Sequence, residues 1–171
     1  MSVKRASAGA STAITRTVSW RMVAQEEATS CGIACVRQLL RDLNVQETEA
    51  AVRDASGTGA GATTEYSHLV KALNGLLAAH GRSERFKGGG VVPDRHWNAL
   101  IRRAPFLAIV GDKRNAHWVI VDGEDELDRV LVRDPAPESL GDKSGFDVVF
   151  TFQSFSDAWL LSGYNAVFRD P

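Results

Sequence analysis

QEEATSCGIACVRQLL, residues 25–40, decides the reading of this 171-residue chain. Ile33, Val36, Leu39, Leu40 and then Leu43 recur at threes and fours, the spacing of one buried helix face. Thr29 or Ser30 stands where a helix of that register takes its cap. Cys31 therefore falls in the first turn, where the helix dipole and unpaired backbone N–H groups favour a thiolate over a thiol. Gly32 beside it leaves room for a substrate backbone to approach the turn. Gln25 can bring its side-chain amide next to the backbone N–H of Cys31, and two such donors make an oxyanion hole. Cys35, one turn further in, reads as a small core residue.

A cysteine nucleophile needs a base, and the base needs a partner that orients it. His117 opens the run HWVIVDG (117–123), and Asp134 lies near the end of RVLVRDP (129–135). Both runs are β-branched and bounded by turn residues, so they read as the two strands of one hairpin. Pairing them returns Asp134 close to His117, where a carboxylate can accept the ring Nδ1–H and stabilise the imidazolium. The remaining histidines, His68, His80 and His96, are scattered and show no metal-ligand spacing. Gly88-Gly89-Gly90 lacks the Gly-Lys-Ser/Thr ending of a phosphate loop and reads as a connector or a short bent strand. Neither a metal nor a cofactor is expected.

The rest of the chain frames this constellation. A formal net charge of −1 gives no electrostatic footprint for nucleic acid. No apolar run approaches the roughly 20 residues of a membrane-spanning helix. The first 20 residues carry no continuous apolar segment of the Sec type, so a cytoplasmic location without membrane insertion is expected, with leaderless export as an effector left open. Cys31 and Cys35 project too nearly parallel for a disulfide, and both are expected as free thiols. Residues 1–17, rich in Ser, Ala, Thr and Gly, read as a flexible tail, and residues 18–171 as one domain. Further helices are expected over 47–55, with Ala50, Ala51 and Val52 inward; from a Thr63 or Thr64 cap to Gly81; over 96–103; and over 155–161. FLAIV (106–110), DVVFTF (147–152) and YNAVF (164–168) join the two hairpin strands. Helices first and short strands afterwards indicate an α+β domain with an antiparallel sheet.

The order Gln25, Cys31, His117, Asp134 resembles the papain-like cysteine peptidases. Among them it is most similar to the bacteriocin-processing peptidases that cut double-glycine leaders and usually form N-terminal domains of ABC peptide exporters. QEEATSCGIACVRQLL, AHWVIVDG and VLVRDP carry the likeness, with GATTEYSHLVKAL, APFLAIV and FSDAWLLSGYNAVF extending it over about residues 20–168. The resemblance implies a helical lobe carrying Cys31, packed on an antiparallel sheet carrying His117 and Asp134. It implies Cys31 as nucleophile, His117 as general base and acid, Asp134 as the residue orienting His117, and Gln25 as oxyanion donor, acting on a peptide or protein substrate. CGIACV departs from the Cys-Gly-Ser/Ala-Cys-Trp/Tyr of plant papain-type enzymes. With no exporter membrane or nucleotide-binding segment in view, the chain reads as a stand-alone form. Three functions are consistent with it: a peptidase cutting after small residues such as Gly-Gly, a deamidase or acyltransferase effector using the same triad, and a non-enzymatic leader-peptide-binding module. Small-residue sites such as Ala8-Gly9-Ala10 would suit self-processing. Oligomeric state is not written in the sequence.

Overall fold

The structure, a computed structural model, describes residues 13–112, 114–139 and 141–171. Seven strands, β1 (Ala13–Val23), β2 (Phe86–Gly90), β3 (Phe106–Val110), β4 (His117–Glu124), β5 (Arg129–Asp134), β6 (Ser144–Thr151) and β7 (Asn165–Arg169), are interleaved with five helices. The helices are α1 (Cys31–Asp42), α2 (Glu49–Ser56), α3 (Tyr66–Ala79), α4 (Pro93–Ile101) and α5 (Phe152–Leu160). The strands form one antiparallel sheet in the order β1-β6-β5-β4-β3-β7-β2.

Alternation along the strands divides the molecule into two cores. On one face Trp118, Ile120 and Leu107 pack against Ile33, Val36, Leu40, Leu69, Leu73 and Leu77 of α1 and α3. On the other, Val119, Val121, Val132 and Val148 meet Trp97 of α4 and Phe155 and Trp159 of α5. Helix α1 lies between the sheet and the other two helices, so nine of its residues are buried. Burying each of its large aliphatic side chains contributes roughly 1.5–3 kcal/mol of transfer free energy. That burial holds the helix against β4, and with it the position of Cys31.

Local differences from the expected elements have physical causes. Ala13–Thr17, expected in the tail, belong to β1 and pair with β6. The stretch AITRTVSW is rich in β-branched residues, which favour a strand, and the Arg16 guanidinium lies 3.5 Å over the Phe146 ring. Residues 1–12, with Ala8-Gly9-Ala10, lie outside the described residues. Ala50 faces solvent rather than the core, because Glu49, Val52, Arg53 and Ser56 form the buried face of α2. Glu65, not Thr63 or Thr64, caps α3, in a reciprocal box with His68. Gly88 sits in edge strand β2 where a Cβ would come 2.9 Å from Tyr66, so close packing by α3 requires a residue without one. Among the described residues no helix is long and apolar enough to cross a membrane.

Candidate active site

The N-terminus of α1 points at the first residues of β4. Cys31 is nine-tenths buried there, beside the His117 side chain, with its Sγ accepting the Trp118 backbone N–H at 3.5 Å. One turn on, the Cys35 Sγ donates to the carbonyl of the same Trp118 at 3.4 Å. Both thiols thus hold the backbone of one residue of β4, which docks the helix in a fixed register against the strand that carries His117. Cys35 keeps its structural reading, and Trp118 is a site residue that sequence reasoning missed. The signal was its place between the base and the core.

Gly32 serves packing rather than substrate approach. A Cβ there would fall 2.9 Å from Trp118 Cδ1 and within hard contact of Thr64 Oγ1. Trp118 in turn donates its indole N–H to the Thr64 carbonyl at 2.9 Å. Ser30 occupies the cap position without a side-chain cap bond, because its hydroxyl closes the preceding turn onto Glu27. The first N–H groups of α1, that of Cys31 included, therefore stay available to the cleft.

His117 and Asp134 meet through a bulged hairpin. Ile120 pairs with Arg133 and Val121 with Val132, but Gly123 pairs with Leu131, so one extra residue enters β4 at Asp122. Gly123 takes φ 144°, a conformation glycine adopts readily. A one-residue slip exchanges the faces of a strand. The bulge therefore sets Asp134 on the same face as Val119 and His117. The contact is Nε2 to Oδ1, 2.6 Å, so the carboxylate engages Nε2 and not Nδ1 as expected, which leaves Nδ1 for the thiol. The Ala136 N–H, at 2.8 Å, also bonds Asp134 Oδ1.

The electrostatics follow from that chain of contacts. Burial opposes charge on His117, yet the Asp134 charge and hydrogen bond, joined by Cys31, push its pKa well above the usual imidazole range. Burial likewise raises the Cys31 thiol. The His117 hydrogen bond and charge, with the N–H groups of Trp118 and Gly32, outweigh it and hold the thiol below its ordinary value. Burial would also raise Asp134, but His117 and the Ala136 N–H keep it low. All three shifts run toward a thiolate–imidazolium pair backed by a carboxylate.

Gln25 sits at the end of β1, anchored by its backbone N–H to the Pro135 carbonyl at 2.9 Å. Its side-chain amide donates to the carbonyls of Glu27 at 2.8 Å and Ala28 at 3.1 Å. Its Oε1 is buried with no hydrogen-bond partner among the described residues. Behind the histidine, His117 and Asp134 edge an apolar hollow lined by Val110, Val119, Val132, Val148, Phe150, Phe155 and Ala158.

A sequence model of the Peptidase C39 family matches residues 19–151. Among solved structures, the fold is similar to the peptidase domain of Streptococcus ComA, a bi-functional ABC transporter involved in a quorum-sensing pathway, with a TM-score of 0.65 at 21% identity over 90% of this chain and 99% of that one. A double-glycine-motif protease from an AMS/PCAT transporter, solved in complex with the leader peptide, gives 0.62 at 20% identity over 91% and 92%. The Streptococcus mutans ComA peptidase domain gives 0.57 at 20% identity over 89% and 100%. Among curated protein sequences none matches.

Proposed function

Since the chain belongs to the Peptidase C39 family and is a cysteine peptidase, we propose that it cuts a peptide through Cys31, His117 and Asp134. The observation that carries this reading is the Cys31 thiol beside the His117 ring, whose Nε2 meets Asp134 at 2.6 Å. The Cys31 thiolate attacks the scissile carbonyl carbon. The oxyanion is held by the Cys31 N–H and by Gln25, which exchanges its longer bond to Ala28 for the substrate oxygen. One oxygen acceptor is traded for another while the amide remains the donor, so the exchange costs little free energy. The His117 imidazolium protonates the leaving amine, leaving a thioester on Cys31. Neutral His117 then deprotonates a water that attacks the thioester, and the acid departs as the thiolate–imidazolium pair re-forms. Asp134 keeps the imidazolium oriented throughout.

The substrate in this reading is a peptide with small residues such as Gly-Gly before the scissile bond. Support comes from the likeness to the double-glycine protease and from the apolar hollow beside His117, which suits the apolar side chains of a peptide. The reading includes the cytoplasm, where both thiols stay reduced.

The test is incubation of the wild type and Cys31→Ala with peptides carrying Gly-Gly or bulky pairs, followed by product mass. Scission by the wild type alone, favouring Gly-Gly, is the expected result. Turnover retained by Cys31→Ala would refute the assignment. A small mass gain without scission would mean deamidation, and a retained acyl group would mean transfer.

A further inference from the structure

The loop 26–30 joins the oxyanion residue Gln25 to the nucleophile Cys31, and one buried carboxylate from another helix holds its first residue. Glu49 opens α2 and is only 3% exposed. Its Oε2 accepts the Glu26 N–H at 3.0 Å. Thr48 already caps α2 by accepting the Ala51 N–H at 3.1 Å. The Glu49 side chain is therefore free to face away from its own helix. Burial makes its charge costly and raises its pKa, and Ser30, the Glu26 N–H and the nearby Arg53 only partly counter this.

Arg53, one turn along α2, completes the clamp. Its Nη2 lies 3.7 Å from Glu49 and 3.1 Å from the Glu27 carboxylate, and its Nη1 holds the Gly59 carbonyl at 3.2 Å. Glu27 also receives the Gly61 N–H at 3.3 Å, and its backbone carbonyl receives the Gln25 amide. Glu26 points outward to Arg37 at 2.7 Å. Gln25 is pinned to the sheet through Pro135 and Cys31 to α1. What lies between them is held from α2 by Glu49 and Arg53, with Arg37 of α1 and the Gly61 N–H adding one contact each.

Resting on the reading of Cys31 as nucleophile and Gln25 as oxyanion donor, we propose that Glu49 is a positioning residue for the oxyanion hole, its carboxylate setting Gln25 against Cys31 through Glu26 and, by way of Arg53, through Glu27. Glu49 touches no substrate. Its loss leaves the thiolate–imidazolium pair intact, because His117, Trp118 and Asp134 are held by the sheet, and it loosens only the donor that the tetrahedral intermediate needs.

Two reagents separate these effects in the full chain. Iodoacetamide alkylates the Cys31 thiolate without forming an oxyanion, whereas p-nitrophenyl acetate acylates it through one. Glu49→Ala should slow acylation roughly 10- to 100-fold while alkylation stays within about twofold, since a single oxyanion donor is worth that much or more. Glu49→Gln, which keeps an acceptor for the Glu26 N–H, should recover most of the rate. If Glu49→Ala folds poorly, Glu49→Leu keeps the volume and removes the acceptor. Equal losses in both reactions, or none in either, would overturn the proposal. Amide exchange at Glu26 stands independent of activity and should be faster in Glu49→Ala, with the core of α1 unchanged; unchanged exchange at Glu26 would also overturn it. A wild type acylated no faster than Cys31→Ala would count against the catalytic reading, and the exchange result would still decide whether Glu49 holds the loop.

Discussion

Asp134→Asn removes one charge and little else. The Asp134 Oδ1 bonds both His117 Nε2, at 2.6 Å, and the Ala136 N–H, at 2.8 Å, and an asparagine carbonyl can accept both. The geometry should therefore survive while the imidazolium loses its counter-charge. Two unit charges about 4 Å apart interact by about 4 kcal/mol at an effective dielectric near 20, which is a ceiling for a half-buried pair. At about 1.4 kcal/mol per tenfold change, His117 should release its proton roughly one to three pH units lower in the variant. His117 holds its proton more tightly in the fold than in the unfolded chain. Its contribution to stability is complete below the unfolded pKa and is lost as pH rises through the folded one. Cys31 and Asp134 are shifted the other way, so their contributions are present above their ordinary values and fade as pH falls through the folded ones. The wild type should thus react over a window whose acid limb belongs to the thiol and whose basic limb belongs to His117. Asp134→Asn should draw in the basic limb and leave the acid limb in place. Cys31 alkylation and peptide hydrolysis, each followed against pH, report the two limbs directly. A basic limb at the same pH in both proteins would refute the role given to Asp134.

At mildly acidic pH iodoacetamide should modify Cys31 and spare Cys35, whose thiol burial pushes well above its ordinary range; mass spectrometry of the digested protein should show one adduct, and an adduct on Cys35 would contradict the assignment. Gly32→Ala should lose roughly 1–3 kcal/mol in denaturant unfolding, because the new methyl meets Thr64 and Trp118; a wild-type midpoint would mean that the contact relaxes freely. Arg133→Met strips the partner from two carboxylates, since the buried guanidinium bonds Asp122 at 2.7 and 2.8 Å and Asp42 at 2.8 Å. Breaking such a pair costs about 3–5 kcal/mol, visible as a lower thermal midpoint, and an unchanged midpoint would show that the network is solvated.

Much of the site was legible because its parts are local. The aliphatic spacing after Ser30 produces a helix whatever surrounds it, and that helix puts Cys31 in its first turn. The β-branched runs from Phe106 onward form strands, and a short turn brings the run ending in Asp134 back beside the run opened by His117. The β-branched content of AITRTVSW was equally local, but the small polar residues before it disguised β1 as part of a tail. Glu49 and Arg53 had no local signal. Charged residues on a short helix normally face water, and loop 26–30, packed on α2, supplies a partner to each of them.

The sequence by itself determined most of the helices and strands and pointed to Cys31, His117 and Asp134, because periodicity, caps and turn residues act within a few positions of one another. Three facts waited for the tertiary structure. The bulge at Asp122 chose the face on which Asp134 stands, since strand side chains alternate with period two and register depends on a distant partner. The bond of Asp134 to His117 Nε2 made Nδ1 the histidine nitrogen left for the thiol, since which ring nitrogen meets the carboxylate depends on how the two strands pair. The burial of Glu49 beneath the oxyanion loop turned an ordinary helix-start carboxylate into a clamp, because desolvation and hydrogen-bond geometry belong to the assembled fold and not to any one segment.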